Sequence, residues 1–307
     1  MKAQVVDGWP RGNAIRILLT DTDASQVNAI RRTLISDVPK LAISRVNFTQ
    51  GIVEQDGQII ESVNVLPDEV LAHRLAMVPV PTFLDEFVFP EDDPNNENLP
   101  EDQWGSPLSQ IIYHLSIRGP NSDSDEEFKT VYAGDLNVLG ETKLQISDEH
   151  KRIPLTILSK GQYLELYAYA TLGRGRDHAK WCPAAAVTFQ PRQKAILVKP
   201  KKANTLFDLD LTSKSGRAIN SKLFKNKECT DVDSVLDLER ALHQVGYGTG
   251  REDAFDSAIT MEDIEGEYVF SFESDGALSP EQIFNQACEE LVSRFDKITG
   301  EIDTAFA

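Results

Sequence analysis

The apolar positions of this chain follow two periods, and the changes from one to the other mark out its elements. Ala14 to Thr20 (AIRILLT) reads as a buried strand. Val27, Ile30, Leu34, Ile35 and Val38 then recur at helical spacing, which buries one face of a short helix. Asp23, with Gln26 three residues on, has the pattern of a capping box, and Pro39 stops the helix. Leu41 to Phe48 alternates as a strand does. Asp56-Gly57, between IVEQ and QIIES, predicts a hairpin, because the tight turn needs positive φ at both central positions. Pro67-Asp68-Glu69 opens a helix through DEVLAHRLAMV that ends at Pro79. Further strands are expected from Ser109 to Arg118, Lys129 to Ala133 and Gln162 to Thr171. In the last of these, Leu164, Leu166, Ala168 and Ala170 share one face. EYVFSFESDG sets Tyr268, Phe270 and Phe272 on one face of a strand that Gly276 closes.

The final helix is the best marked. Ser279 is its N-cap, Pro280 suits the first helical position, and Gln282 completes a capping box. Phe284, Cys288, Leu291, Phe295 and Ile298 then fall at spacings of four and three, widened by Ile283, Ala287 and Val292. That seam is about two turns longer than a self-contained core requires. It is either an ordinary core-facing stripe or a surface for a second chain.

Charge narrows the picture. The 307 residues carry a net charge of -18, which argues against an independent grip on nucleic acid. Between Asp85 and Asp102 lie acids and prolines without a base, read as a solvated surface loop. From Arg192 to Lys227 ten Lys or Arg meet only Asp208 and Asp210, either a solvated face or one for an acidic protein surface or nucleic acid. No apolar run is long enough for a membrane span, and MKAQVVDGWPRGNAIR lacks a secretory core. Three separated cysteines (Cys182, Cys229, Cys288) fit a reducing cytoplasm.

Signatures of catalysis are scarce. GRGRDHAK (173–180) has two glycines but neither phosphate-loop pattern. His178 and Cys182 are four apart, yet no second ligand pair accompanies them for zinc. A Cys-His nucleophile is the alternative, an unrelated cytoplasmic enzyme. The Arg31-Arg32 pair sits beside the apolar stripe of its helix. It is either solvated or reaches across an interface to carboxylates or carbonyls.

Four segments in order, NAIRRTLISDVPKLAI, PDEVLAHRLAMVPV, GRGRDHAKWCPAAAVTF and FSFESDGALSPEQIF, carry a resemblance. Together they resemble the D-subunit family of archaeal DNA-directed RNA polymerase over nearly the whole chain. That family is similar to the third-largest subunit of eukaryotic polymerase II and, more distantly, to the bacterial α-subunit N-terminal domain. HAKWCPAAA after HRLAMVP favours the archaeal or eukaryotic branch, and VYAGDL leans archaeal.

The resemblance implies an α+β protein with a discontinuous dimerisation domain (1–46, 187–192 and 267–307). An inserted mixed α/β domain (47–186) and a small third module (193–266), a ferredoxin-like remnant, would complete it. It implies an assembly subunit of DNA-directed RNA polymerase with no catalysis of its own, the nucleotidyl chemistry belonging to other chains. Val27, Ile30, Leu34, Phe284, Leu291, Phe295 and Ile298 would serve pairing with the small α-like L subunit. Arg31, Arg32, Arg174, His178, Lys180 and Trp181 would face the second-largest subunit. The largest subunit and further small ones would join the platform, and DNA would be met only through the complex. Many relatives have a cysteine-rich zinc loop, but FPEDDPNNENLPEDQWGSP has no cysteine, so zinc is expected to be absent. Some carry iron–sulfur clusters in the third module. Cys229 alone cannot hold a four-ligand cluster, so no cofactor is expected.

Overall fold

The computed structural model describes residues 1–49, 51–55, 58–62, 66–121, 123–213, 216–245 and 257–306. The Asp56-Gly57 turn lies outside these residues. Its flanking strands, β4 (Ile52–Gln55) and β5 (Gln58–Glu61), pair antiparallel with Gln55 opposite Gln58. The chain divides into two compact units, residues 1–31 with 187–272 and residues 32–186 with 273–307. The stretches 32–46 and 273–307, expected with the dimerisation domain, thus cluster with 47–186.

In the first unit, β1 (Lys2–Val5) pairs with β2 (Ala14–Thr20), whose inward Ile15, Ile17 and Leu19 are buried. They belong to a five-stranded sheet of order β1-β2-β13-β11-β12. Here β11 is Ala184–Leu197, β12 is Glu228–Cys229 and β13 is Ile259–Ser274. Among the described residues between β11 and β13 are the helices α3 (Pro200–Phe207) and α4 (Val232–Val245). Leu206, Ile219, Cys229, Val235, Leu238 and Ala241 form a small core with Ala195 of β11. Asp233, at the start of α4, receives the Trp9 indole N–H at 3.2 Å and Arg11 at 2.7 Å, and pairs with Arg16. Both guanidiniums stack on the Trp9 ring, at 4.5 and 4.6 Å, so one buried carboxylate ties the N-terminal loop to α4.

In the second unit, a four-stranded sheet runs β3-β10-β6-β8. Its strands are β3 (Pro39–Phe48), β6 (Gln110–Arg118), β8 (Asn137–Val138) and β10 (Tyr163–Arg174). The alternation read in β10 holds, since Leu164, Leu166, Ala168 and Ala170 are all buried. They join a core that takes in Leu71 and Leu75 of α2 (Asp68–Ala76). A separate ribbon pairs β7 (Phe128–Tyr132) with β9 (Pro154–Ser159).

The acidic stretch from Asp85 to Asp102 is not a merely solvated loop. It folds into three short 3-10 turns around Asp93, which is 2% exposed. One Asp93 oxygen accepts from Ser106 and Ser109 at 2.5 Å each, and the other from the Asn95 backbone at 2.9 Å. These donors favour the ionised form, led by the two hydroxyls, and pull the carboxyl down to about 2.

Helix α1 (Ala24–Ser36) spans the division between the units. Asp23 caps it as expected, accepting from the backbone of Ser25 and Gln26. The Gln26 amide, however, meets the Thr22 hydroxyl at 2.7 Å. Helix α5 (Pro280–Phe306) starts on a full capping box, Ser279 N–H to Gln282 at 2.9 Å and Gln282 N–H to Ser279 at 3.2 Å.

Candidate interaction surfaces

Within the second unit, residues of or beside the four segments that stood out in the sequence come together. Asp37, just past α1, is 1% exposed and takes Arg294 of α5 at 2.7 Å, with Arg176 at 3.7 Å from the same oxygen. Its carbonyl accepts from Arg174, and the Ser36 carbonyl accepts from the Arg176 backbone at 3.0 Å. The Arg174 guanidinium and the Arg176 backbone N–H thus satisfy carbonyls at the C-terminal end of α1, and the guanidinium charge offsets its partial negative charge. Three residues on, Lys40 is buried and pairs with Asp275 of the ESDG turn. The Leu41 N–H donates to the Thr82 hydroxyl at 3.1 Å, and the Thr82 N–H to the Ala277 carbonyl at 3.1 Å. Sequence reasoning missed Asp37, Lys40 and Asp275 as a group. The available signal was an aspartate and a lysine in a run, Ile35 to Ile43, that is apolar apart from them and Ser36.

The two glycines of GRGRDHAK have a packing cause. A Cβ on Gly173 would lie 2.2 Å from the Trp181 ring, and one on Gly175 would lie 2.1 Å from the Ile35 carbonyl. The Trp181 indole N–H donates to the Thr171 carbonyl at 3.1 Å, folding the segment back on β10. Arg174 is engaged within the chain, 2.8 Å from Glu290 of α5 and 4.8 Å from the Phe89 ring centroid. His178 is exposed, and its Nδ1 accepts the Lys180 N–H at 3.0 Å. Lys180 lies half-buried with its amine 4.2 Å from the Trp181 ring centroid, and burial pushes that amine below the ordinary lysine value. Cys182 directs its thiol to the Ala184 carbonyl at 3.1 Å instead of to His178, so no nucleophilic pair forms.

Arg31 is half-buried and bonds Asn28 at 3.0 Å, whereas Arg32 is exposed. Val27, Ile30 and Leu34 are buried within the chain, so they present no open surface. Helix α5 splits along its length. Its first turns bury Ile283, Phe284 and Ala287. Beyond the half-buried Cys288 and Leu291, Val292, Phe295, Ile298 and Ile302 are 59, 63, 51 and 49% exposed. The apolar spacing that starts in the core therefore continues onto open surface, a stripe larger than scattered single residues.

Among the described residues, no three His, Cys, Asp or Glu converge as a metal site would require. Cys229 lies in the small α4 core, where burial raises its thiol pKa. Burial does the same to Cys288, with Glu289 adding to it. No helix among the described residues is long and apolar enough to cross a membrane.

Comparison with known proteins gives this geometry a context. A family model described as the RNA polymerase Rpb3/Rpb11 dimerisation domain matches residues 16–295. DNA-directed RNA polymerase subunit Rpo3 of Picrophilus torridus is 30% identical, over 94% of this chain and 95% of its own. The Rpo3 subunit of Thermococcus kodakarensis is 28% identical over 95% of each chain. The polymerase II subunit rpb3 of Dictyostelium discoideum is 26% identical, over 95% of this chain and 92% of its own.

Proposed function

The chain belongs to the RNA polymerase Rpb3/Rpb11 dimerisation family, and from that premise we propose how it serves as an assembly subunit of DNA-directed RNA polymerase. It does no catalysis of its own. It pairs with a small α-like subunit and then receives the second-largest and largest subunits, which bring the active-site chemistry and the contact with DNA. The observation that carries this reading is the open stripe on α5, from Leu291 to Ile302, in a chain matched by a dimerisation-domain model. Burying each such side chain on a partner contributes roughly 1.5–3 kcal/mol, which favours pairing through this stripe.

The remaining residues divide by what they touch. Val27, Ile30, Leu34 and Phe284 support the pairing surface from inside the chain, while Leu291, Phe295 and Ile298 make the contact. Arg31, Arg32, His178, Lys180 and Trp181 face the second-largest subunit, and Arg174 holds their segment against α5. The dimerisation domain is discontinuous (1–46, 187–192, 267–307), with 47–186 inserted and 193–266 a ferredoxin-like module without a cluster. The protein works in the cytoplasm and carries neither zinc nor iron; a full equivalent of either in protein purified anaerobically would contradict this. The enzyme alternative has no support in the separated His178 and Cys182. Isolation from the native cell tests the reading: a small partner and the two large polymerase subunits should accompany the chain. Recovery of the chain alone, or with unrelated proteins, would overturn it.

A further inference from the structure

The outward face of the β7–β9 ribbon takes part in none of the contacts above. In its register Lys129 faces Leu158, Thr130 faces Ile157 and Phe128 faces Ser159. Alternation buries Val131 and Leu158 and leaves Phe128, Tyr132 and Ile157 at 56, 41 and 38% exposure. Three large apolar side chains on one short ribbon, whose first strand is only five residues long, are a patch, not scattered exceptions. Just ahead of Phe128 stand Asp123, Asp125, Glu126 and Glu127, all exposed and none in an ion pair among the described residues, while Lys160 donates to the Ser124 carbonyl at 2.5 Å, so the stretch keeps an acidic excess.

We propose that this face docks a segment of another protein subunit bearing apolar side chains followed by Lys or Arg. The charges select that occupant. A second copy would bring four more carboxylates and its own net charge of -18 against the same spot. Nucleic acid and an anionic lipid surface would be repelled in the same way. A cationic protein segment gains on both counts, burying the apolar patch and neutralising the unpaired acids. The proposal rests on the reading of the chain as a polymerase subunit, because it draws the occupant from that complex.

Photo-crosslinking in the assembled polymerase tests it, with p-benzoylphenylalanine replacing Ile157 in one preparation and Phe295 in another. Both positions are exposed, so neither substitution threatens the fold. The Ile157 probe should yield an adduct with a Lys- or Arg-bearing segment of another subunit, and the Phe295 probe an adduct with the small partner. Reversing three charges (Asp125→Lys, Glu126→Lys, Glu127→Lys) should cut the Ile157 adduct by roughly tenfold or more, since complementary charges become like charges. A Phe295 adduct without an Ile157 adduct overturns the ribbon proposal alone. An Ile157 adduct to a second copy or to nucleic acid, or one indifferent to charge reversal, also overturns it. Adducts at neither position overturn the assembly reading with it.

Discussion

Asp37 and Arg294 stand 257 positions apart in sequence and meet at 2.7 Å. The carboxylate is buried, at 1% exposure, while the guanidinium is about half open to solvent. The two halves of the pair are therefore unequal. Arg294→Ala leaves a buried carboxylate with Arg176 at 3.7 Å as its remaining charged neighbour, whereas Asp37→Asn leaves arginines that water can solvate. Losing a hydrogen bond to a charged buried group costs about 1.5–3 kcal/mol. Arg294→Ala should lose about that much in urea unfolding and Asp37→Asn clearly less. Equal losses would show that the carboxylate finds other donors.

Arg31 and Arg32 lie outside the buried stripe of α1. Changing both to Ala should leave the unfolding free energy within the range of ordinary surface substitutions, about 0.5 kcal/mol. Pairing with the small subunit should survive as well. Capture of the second-largest subunit should fall by roughly 30-fold or more, the effect of truncating a desolvated charged anchor. Urea unfolding reads the first, and stepwise reconstitution followed by size-exclusion chromatography reads the other two; wild-type capture would make the pair a solvated one.

The Asp93 clasp gives a pH signature. Its carboxyl is lowered from 3.8 to about 2 in the folded chain. A depressed acid stabilises the folded state above its unfolded value and loses that contribution as pH falls through its folded value. Wild-type stability should therefore drop between about pH 4 and pH 2 more steeply than that of Asp93→Asn. Denaturation midpoints of both proteins at about pH 5, 3.5 and 2.5 test this, and parallel curves would place the titration elsewhere.

Local patterns foretold those elements that local rules govern. Asp23 caps α1, Ser279 and Gln282 box the start of α5, and alternation sets the buried face of β10. The strand β11 went unread because AAAVTFQPRQKAIL mixes small and polar residues with a proline and shows no clean period. The acidic loop misled through composition. Asp93 is buried because hydroxyls 13 and 16 residues away satisfy it, and no nearby pattern encodes that. The site behaved likewise. GRGRDHAK matched neither phosphate-loop pattern, and its glycines owe their presence to Ile35 and Trp181, which only the fold brings close. Along α5 the same spacing carries Phe284, 9% exposed, and Phe295, 63% exposed. Periodicity shows that a face is apolar; it does not show which chain covers it.

That open half of α5 is where the account stands most exposed. Phe295 and Ile298 touch solvent over half or more of their surface, so replacing both with Asp should cost the isolated chain little. In the presence of the small polymerase subunit, the same change places two charges in the middle of an apolar contact. Light scattering after size exclusion, with the two purified subunits mixed, reads the outcome directly. The wild-type chain should run as a one-to-one heterodimer, and the Phe295→Asp, Ile298→Asp variant at the 34.2 kDa mass of the single chain. A variant that pairs as well as wild type would show that α5 is not the pairing surface.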